Sequence, residues 1–122
     1  MTILNAGMPF CPESKPKHPS AFMRARDGDE MTSYVQGIDT DTKILVTHTP
    51  PFNHLDISMI SHTHIGDVLL GKKIQDCKIG VHVFGHVHVG YGVERDADTV
   101  FINPSMCDHA YKVCFSVLCS CR

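Results

Sequence analysis

The order of apolar patterns along the chain predicts a mixed α/β sheet in layered arrangement. Two β-branched and aliphatic runs, 43–48 and 79–84, flank a segment of helical periodicity at 62–76. A strand–helix–strand order places the two runs side by side in one sheet. The strand–turn–strand pattern that follows, over 91–102, adds a C-terminal hairpin and makes the sheet mixed. With 122 residues, 43% apolar and 20% charged, the chain is sized for one domain. Such a domain buries roughly two-thirds of its unfolded surface.

Taken in order, residues 2–6 read as a short strand stopped by Gly7. Met8 to Ser20 carries four prolines (Pro9, Pro12, Pro16 and Pro19) and little periodicity, which reads as a loop. Ala21 to Gln36 holds a short helix, with Asp27 or Asp29 as N-cap and Gly37 as stop. The run 43–48 has no polar alternation, the pattern of a strand covered on both faces. Pro50-Pro51 then forces an extended turn. The main helix is predicted from His62 to Asp76. Ile65, Val68 and Leu69 form one stripe, and Leu70, Ile74 and Cys77 the adjoining one. Strand 79–84 follows, and Arg95-Asp96-Ala97-Asp98 turns the hairpin between Tyr91–Glu94 and Thr99–Ile102. No internal repeat or linker divides the chain.

Composition excludes several functional classes. A net charge of −2, with Lys72-Lys73 as the sole adjacent basic pair, offers no electrostatic footprint for nucleic acid or an anionic membrane. No apolar run approaches the ~20 residues that span a bilayer. The N-terminus has no basic n-region, so a cytoplasmic protein is expected. In that compartment the six cysteines (Cys11, Cys77, Cys107, Cys114, Cys119 and Cys121) read as mostly free thiols. Cys119-Ser120-Cys121 has soft-metal donors, but its place at a chain end favours no such role.

The stretch Phe84-Gly85-His86-Val87-His88-Val89-Gly90 is the most informative in the chain. A buried imidazole is costly unless both ring nitrogens find partners, and a metal ion is such a partner. Upstream, Ile44-Leu45-Val46-Thr47-His48 delivers another imidazole at a strand end. In a sheet of this kind ligands gather outside the carboxyl ends of strands. His48, His86 and His88 therefore converge if the two strands are neighbours. Neutral imidazoles suit Zn, Mn or Fe. Taken singly, His48 reads as an exposed loop residue and His86-x-His88 as alternate residues of an edge; together, with their glycines, they read as a metal site. His62-Thr63-His64 repeats the spacing at the predicted helix start, where capping or surface exposure accounts for it. His18, His54, His82 and His109 have no comparable setting.

Thr47-His48 before Pro50-Pro51, with Gly85-His86-Val87-His88, resembles the last two metal-binding motifs of the calcineurin-like metallophosphoesterases. The resemblance is closest to the subgroup of metallophosphoesterase-domain-containing proteins. Supporting it are Gly7-Met8-Pro9, Ala21-Phe22 near Arg24, His64-Ile65-Gly66 before Leu69-Leu70, and the run from His82 to Gly92. Ile102-Asn103-Pro104-Ser105 and Cys107-Asp108 complete the likeness. It covers about residues 3–112 of a single partial domain, with 113–122 as a divergent tail. It implies the C-terminal half of a layered α/β/β/α sandwich that hydrolyses phosphodiesters or phosphomonoesters with two divalent ions. His48 and His86 would bind one ion and His88 the other. The family's Asp-x-His, Gly-Asp-x-x-Asp and Gly-Asn-His motifs are absent from this sequence. At most one ion is then expected here, and no hydrolysis by the chain alone, as from an incomplete gene model or a true truncation. The alternative is a non-catalytic metal-binding or interaction module built on the three histidines. Pairing with an N-terminal half, or self-association through an open sheet edge, follows from either reading.

Overall fold

The computed structural model describes residues 2–3, 8–10, 23–25, 29–108, 110 and 112–113. Its elements, in order, are strands β1 (Thr2–Ile3), β2 (Met8–Phe10) and β3 (Met23–Ala25), helix α1 (Asp29–Gln36), and strand β4 (Ile44–Val46). Helix α2 (Val68–Cys77) and strands β5 (Val81–Val83), β6 (Gly92–Arg95) and β7 (Val100–Asn103) complete the set. Five strands form one mixed sheet in the order β1-β4-β5-β7-β6, and β2 pairs with β3 separately. All pairs are parallel except the hairpin β6–β7. This is the expected α/β architecture, consistent with the C-terminal part of an α/β sandwich.

Register explains the core. Leu45, His82 and Phe101 form one rung across β4, β5 and β7, and all three are buried. Met31 and Val35 from α1, and Leu70, Ile74 and Cys77 from α2, join Leu45, Phe84 and Phe101 in the same cluster. Leu70, Ile74 and Cys77 are the i, i+4, i+7 stripe read from the sequence. The rungs on either side, Ile44–Val81–Val100 and Val46–Val83–Ile102, are less covered, with Ile44 40% exposed. The expectation of a β4 strand covered on both faces is therefore corrected. Apolar residues at every position show that both faces tolerate burial, not that both are buried.

Two boundaries also differ from expectation. Helix α2 starts at Val68 rather than His62, because Asp67 caps it: its carboxylate accepts Leu70 N–H at 2.7 Å. His62 and His64 lie in the preceding loop, exposed, where Ile57 and His64 form an antiparallel bridge. In the segment expected to be a loop, Met8–Phe10 is a strand paired with Met23–Ala25. A two-stranded sheet is all edge, so Pro9 is tolerated there despite its missing N–H. The remainder of the expected strand 2–6, residues 11–20, Cys11, His18, His109, Cys114, Cys119 and Cys121 lie outside the described residues. Among the described residues Cys77 and Cys107 are free thiols, and no helix is long and apolar enough to cross a membrane.

Candidate functional site

The parallel pair β4–β5, joined through α2, brings the histidine-bearing ends together. The ladder runs on past both strands. Thr47 N–H donates to the Val83 carbonyl at 3.0 Å, and Gly85 N–H donates to the His48 carbonyl at 3.2 Å. The chain thus clasps the two segments backbone to backbone where the imidazoles emerge. The His48 and His86 ring centroids lie 5.3 Å apart, tilted by 59°. His48 is exposed, and His86 and His88 are half-buried.

Electrostatics joins the third ring to the pair. Although His48 is exposed as a residue, partial desolvation of its ring lowers its pKa from the ordinary value, and the nearby His88 adds to the effect. Burial likewise lowers His86, with His48 and His88 contributing repulsion. Both rings are thereby held neutral near pH 7, the form that offers a lone pair to a cation. His88 donates its Nδ1–H to the Asp108 carbonyl at 3.0 Å. That bond fixes the tautomer and leaves the lone pair on Nε2, the arrangement that orients an imidazole as a ligand. Among the described residues, no three His, Cys, Asp or Glu side chains are already closed around a metal-sized point. The structure thus brings His48 and His86 together as neutral rings.

His86 sits in a strained turn. Val87 N–H donates to the Gly85 carbonyl at 2.8 Å, an i to i+2 bond, and His86 between them has φ +68°. This is the γ-turn with positive φ, which is rare for a side chain other than glycine. Strain of this type costs of order 1–3 kcal/mol and collects at functional positions. His86→Gly is therefore expected to keep or raise the thermal midpoint while removing the ring from the cluster. A midpoint several degrees lower by differential scanning calorimetry would count against the strain.

A buried polar frame supports the cluster, and sequence reasoning missed it. His82, fully buried on β5, donates Nε2–H to Thr47 Oγ1 at 2.9 Å, and the Thr47 hydroxyl donates to the Thr49 carbonyl at 2.6 Å. His48 lies between these two threonines. On the other side, buried Asn103 donates Nδ2–H to the Val87 carbonyl at 2.8 Å and accepts Ser105 N–H at 3.1 Å. It clamps the peptide between His86 and His88. The alternation that puts His82 in line with Leu45 and Phe101 was a usable signal, because an imidazole at a core position needs a partner.

No protein-family model matches the chain. Curated relatives do. A UPF0046 protein of Caenorhabditis elegans is 32% identical over 92 residues, which are 75% of this chain and 31% of the relative. A second UPF0046 protein of the same organism is 35% identical over 95 residues, 73% of this chain and 33% of the relative. Metallophosphoesterase domain-containing protein 1 of Homo sapiens is 38% identical over 78 residues, 63% of this chain and 23% of the relative. The chain is similar to the metallophosphoesterase-domain-containing and UPF0046 proteins over part of their length. It spans about a quarter to a third of the length of these relatives. One of these relatives is named for a metallophosphoesterase domain.

Proposed function

We propose that this chain is the imidazole-bearing portion of a metal-dependent phosphoesterase. It holds one divalent ion (Mn, Fe or Zn) through His48, His86 and His88, and does not hydrolyse phosphate esters by itself. The observation that carries this reading is the meeting of His48 and His86, 5.3 Å between ring centroids, at the ends of adjacent parallel strands. The Asp108 carbonyl on His88 Nδ1 adds the third oriented donor. A bound ion would polarise a phosphoryl oxygen and acidify water at the cluster.

Three imidazoles fit one dication. A second dication a few ångströms away needs anionic ligands to offset the repulsion between the two charges. The sequence supplies none of the family's acidic motifs. Hydrolysis of phosphodiesters or phosphomonoesters therefore requires carboxylates from elsewhere, such as an N-terminal half supplied in trans or a second copy. A cytoplasmic setting suits the free Cys77 and Cys107 thiols.

The test joins zinc titration to an assay on bis-p-nitrophenyl phosphate with Mn²⁺. The expected result is one zinc per chain, binding at least tenfold weaker in His48→Ala and His86→Ala, and turnover no faster than buffer. Turnover abolished by His86→Ala would overturn the inactivity of the chain. An absence of zinc binding would overturn the metal role. One-ion binding that persists without turnover when an N-terminal half of a relative is added would favour a non-catalytic metal-binding module.

A further inference from the structure

A groove of about 520 Å³ lies between loop 53–64 on one side and Val89 and Gly90 on the other. That volume is in the range of small-molecule sites. His48, His86 and His88 do not line it, so what it binds is independent of the imidazole cluster. Leu55, Ile57, Met59 and Val89 make its apolar walls. Ile57, Met59 and Val89 are each about half exposed, and present hydrocarbon at an open mouth. Met59, an unbranched thioether, repacks readily against guests of different outline.

The polar side chains on the lining are set up to accept. Asp56 is fully buried, and its Oδ1 meets Nδ1 of His64 at 2.6 Å. Its Oδ2 takes the backbone N–H of Gly66 at 2.9 Å and of Asn53 at 3.1 Å. A carboxylate used in this way only accepts, so the proton of the His64 bond sits on Nδ1. The neutral ring then keeps its lone pair on Nε2, and 37% of the side chain is exposed. Glu94 supplies the second acceptor. Its Oε1 accepts Nδ1–H of His54 at 3.0 Å, and the His54 ring is stacked on Phe101 with centroids 3.7 Å apart. Glu94 is thereby anchored while 41% of its side chain stays exposed. Ser58 turns its hydroxyl oxygen to the N–H groups of Ile60 and Ser61. Among the described residues, no Lys or Arg lines the groove.

Acceptors without a cation call for a guest that donates and is positively charged. An anion would be repelled by Glu94, and a single hydroxyl has one proton for two acceptors. A primary ammonium has three N–H donors, and its bond to a carboxylate is charge-assisted. We propose that this groove binds a small apolar molecule ending in a primary amine. Its hydrocarbon lies against Ile57, Met59 and Val89, and its ammonium donates to His64 Nε2 and to the Glu94 carboxylate.

The experiment titrates the chain, with a chelator present and no added metal, at about pH 8, where alkylamines are protonated. The probes are 2-phenylethylamine, 2-phenylethanol, phenylacetate and Nα-acetyl-lysine methylamide. Binding is followed by NMR at the Met59 methyl and the His64 ring Cε1–H. The amine is expected to shift both signals saturably and to bind about tenfold tighter than the alcohol, the worth of one charge-assisted hydrogen bond. Phenylacetate should leave both signals still, and the lysine amide should bind more weakly, because its peptide groups meet apolar walls. Glu94→Gln keeps an oxygen for His54 Nδ1–H, and is expected to remove the advantage of the amine while leaving the alcohol unchanged. Equal affinities for amine and alcohol in the unaltered chain, or a saturable response to phenylacetate, would overturn the assignment. So would an amine preference that survives Glu94→Gln. Tighter binding of the lysine amide would overturn the small-molecule guest in favour of a lysine side chain.

Discussion

Acidification from pH 6.5 to pH 3 is expected to strip several kcal/mol of stability from this fold, and His82→Phe to remove much of that dependence. His82 is fully buried between Phe84 and Phe101, with ring centroids at 4.9 and 6.2 Å. Among the described residues its Nδ1 has no hydrogen-bond partner. Burial pushes its pKa from 6.5 to about 3, and nearby His54 adds a little. The sign follows from which state takes the proton. Above pH 6.5 the ring is neutral whether the chain is folded or not. Below it, the unfolded chain binds a proton that the folded chain refuses until about pH 3, so falling pH favours unfolding. The slope is on the order of 1 kcal/mol per pH unit over that window. That is a large share of a typical total of about 5–15 kcal/mol. His86 and His48, both lowered by burial, act in the same direction. Urea midpoints measured across the window would show the effect as a fall in wild type and a shallower one in His82→Phe. Parallel falls in the two proteins would mean that His82 takes up its proton without unfolding.

The part of this molecule legible in the sequence is the part governed by local period. Leu70, Ile74 and Cys77 fall on one helical stripe, and the runs around Leu45 and His82 are too short and too β-branched for helix. The pair β4–β5 follows from that order, and with it the proximity of His48 to His86. What could not be read depends on partners distant in sequence. His82 and Thr47 are 35 positions apart, and Asn103 reaches back 16 positions to Val87. No local pattern marks such bonds. The helix start was misplaced for a related reason. Ile65 keeps the apolar period going backwards from Val68, whereas Asp67 ends the helix by a hydrogen bond that periodicity does not register. At Gly66 a Cβ would fall 2.3 Å from the Pro51 carbonyl oxygen, so this chain segment runs against Pro51 too closely for any side chain. Proline density, likewise, concealed β2, because it argues against an interior strand and says nothing against an edge.

Asp56→Ala is expected to cost about 3–5 kcal/mol, the largest effect of any single side chain outside the apolar core. The carboxylate accepts three hydrogen bonds, from Asn53 N–H, Gly66 N–H and His64 Nδ1–H. Its own carbonyl takes a fourth, from Ile65 N–H at 3.0 Å, which alanine retains. The loop around it contains three non-glycine residues at positive φ, Asn53 at 72°, Leu55 at 50° and His62 at 53°. Conformations of that kind persist only where surrounding bonds over-determine them. Alanine removes the acceptor and leaves the Gly66 N–H facing an apolar void. The loop also touches the histidine turn. A Cβ on Gly90 would sit 2.2 Å from the Leu55 carbonyl oxygen, so the two backbones are in contact there. Loss of Asp56 is therefore expected to loosen the turn that carries His88 as well as the groove wall. Asp56→Asn should recover part of the stability, since its amide oxygen still accepts the two backbone N–H groups. Its NH₂ then donates to His64 Nδ1, which moves the ring proton to Nε2. Urea unfolding with an unchanged m-value gives the energies, and nitrogen-15 shifts of the His64 ring report the tautomer. Wild-type stability in Asp56→Ala would mean that the backbone bridges alone, Ile57 to His64 and Ser58 N–H to the Thr63 carbonyl, hold the loop.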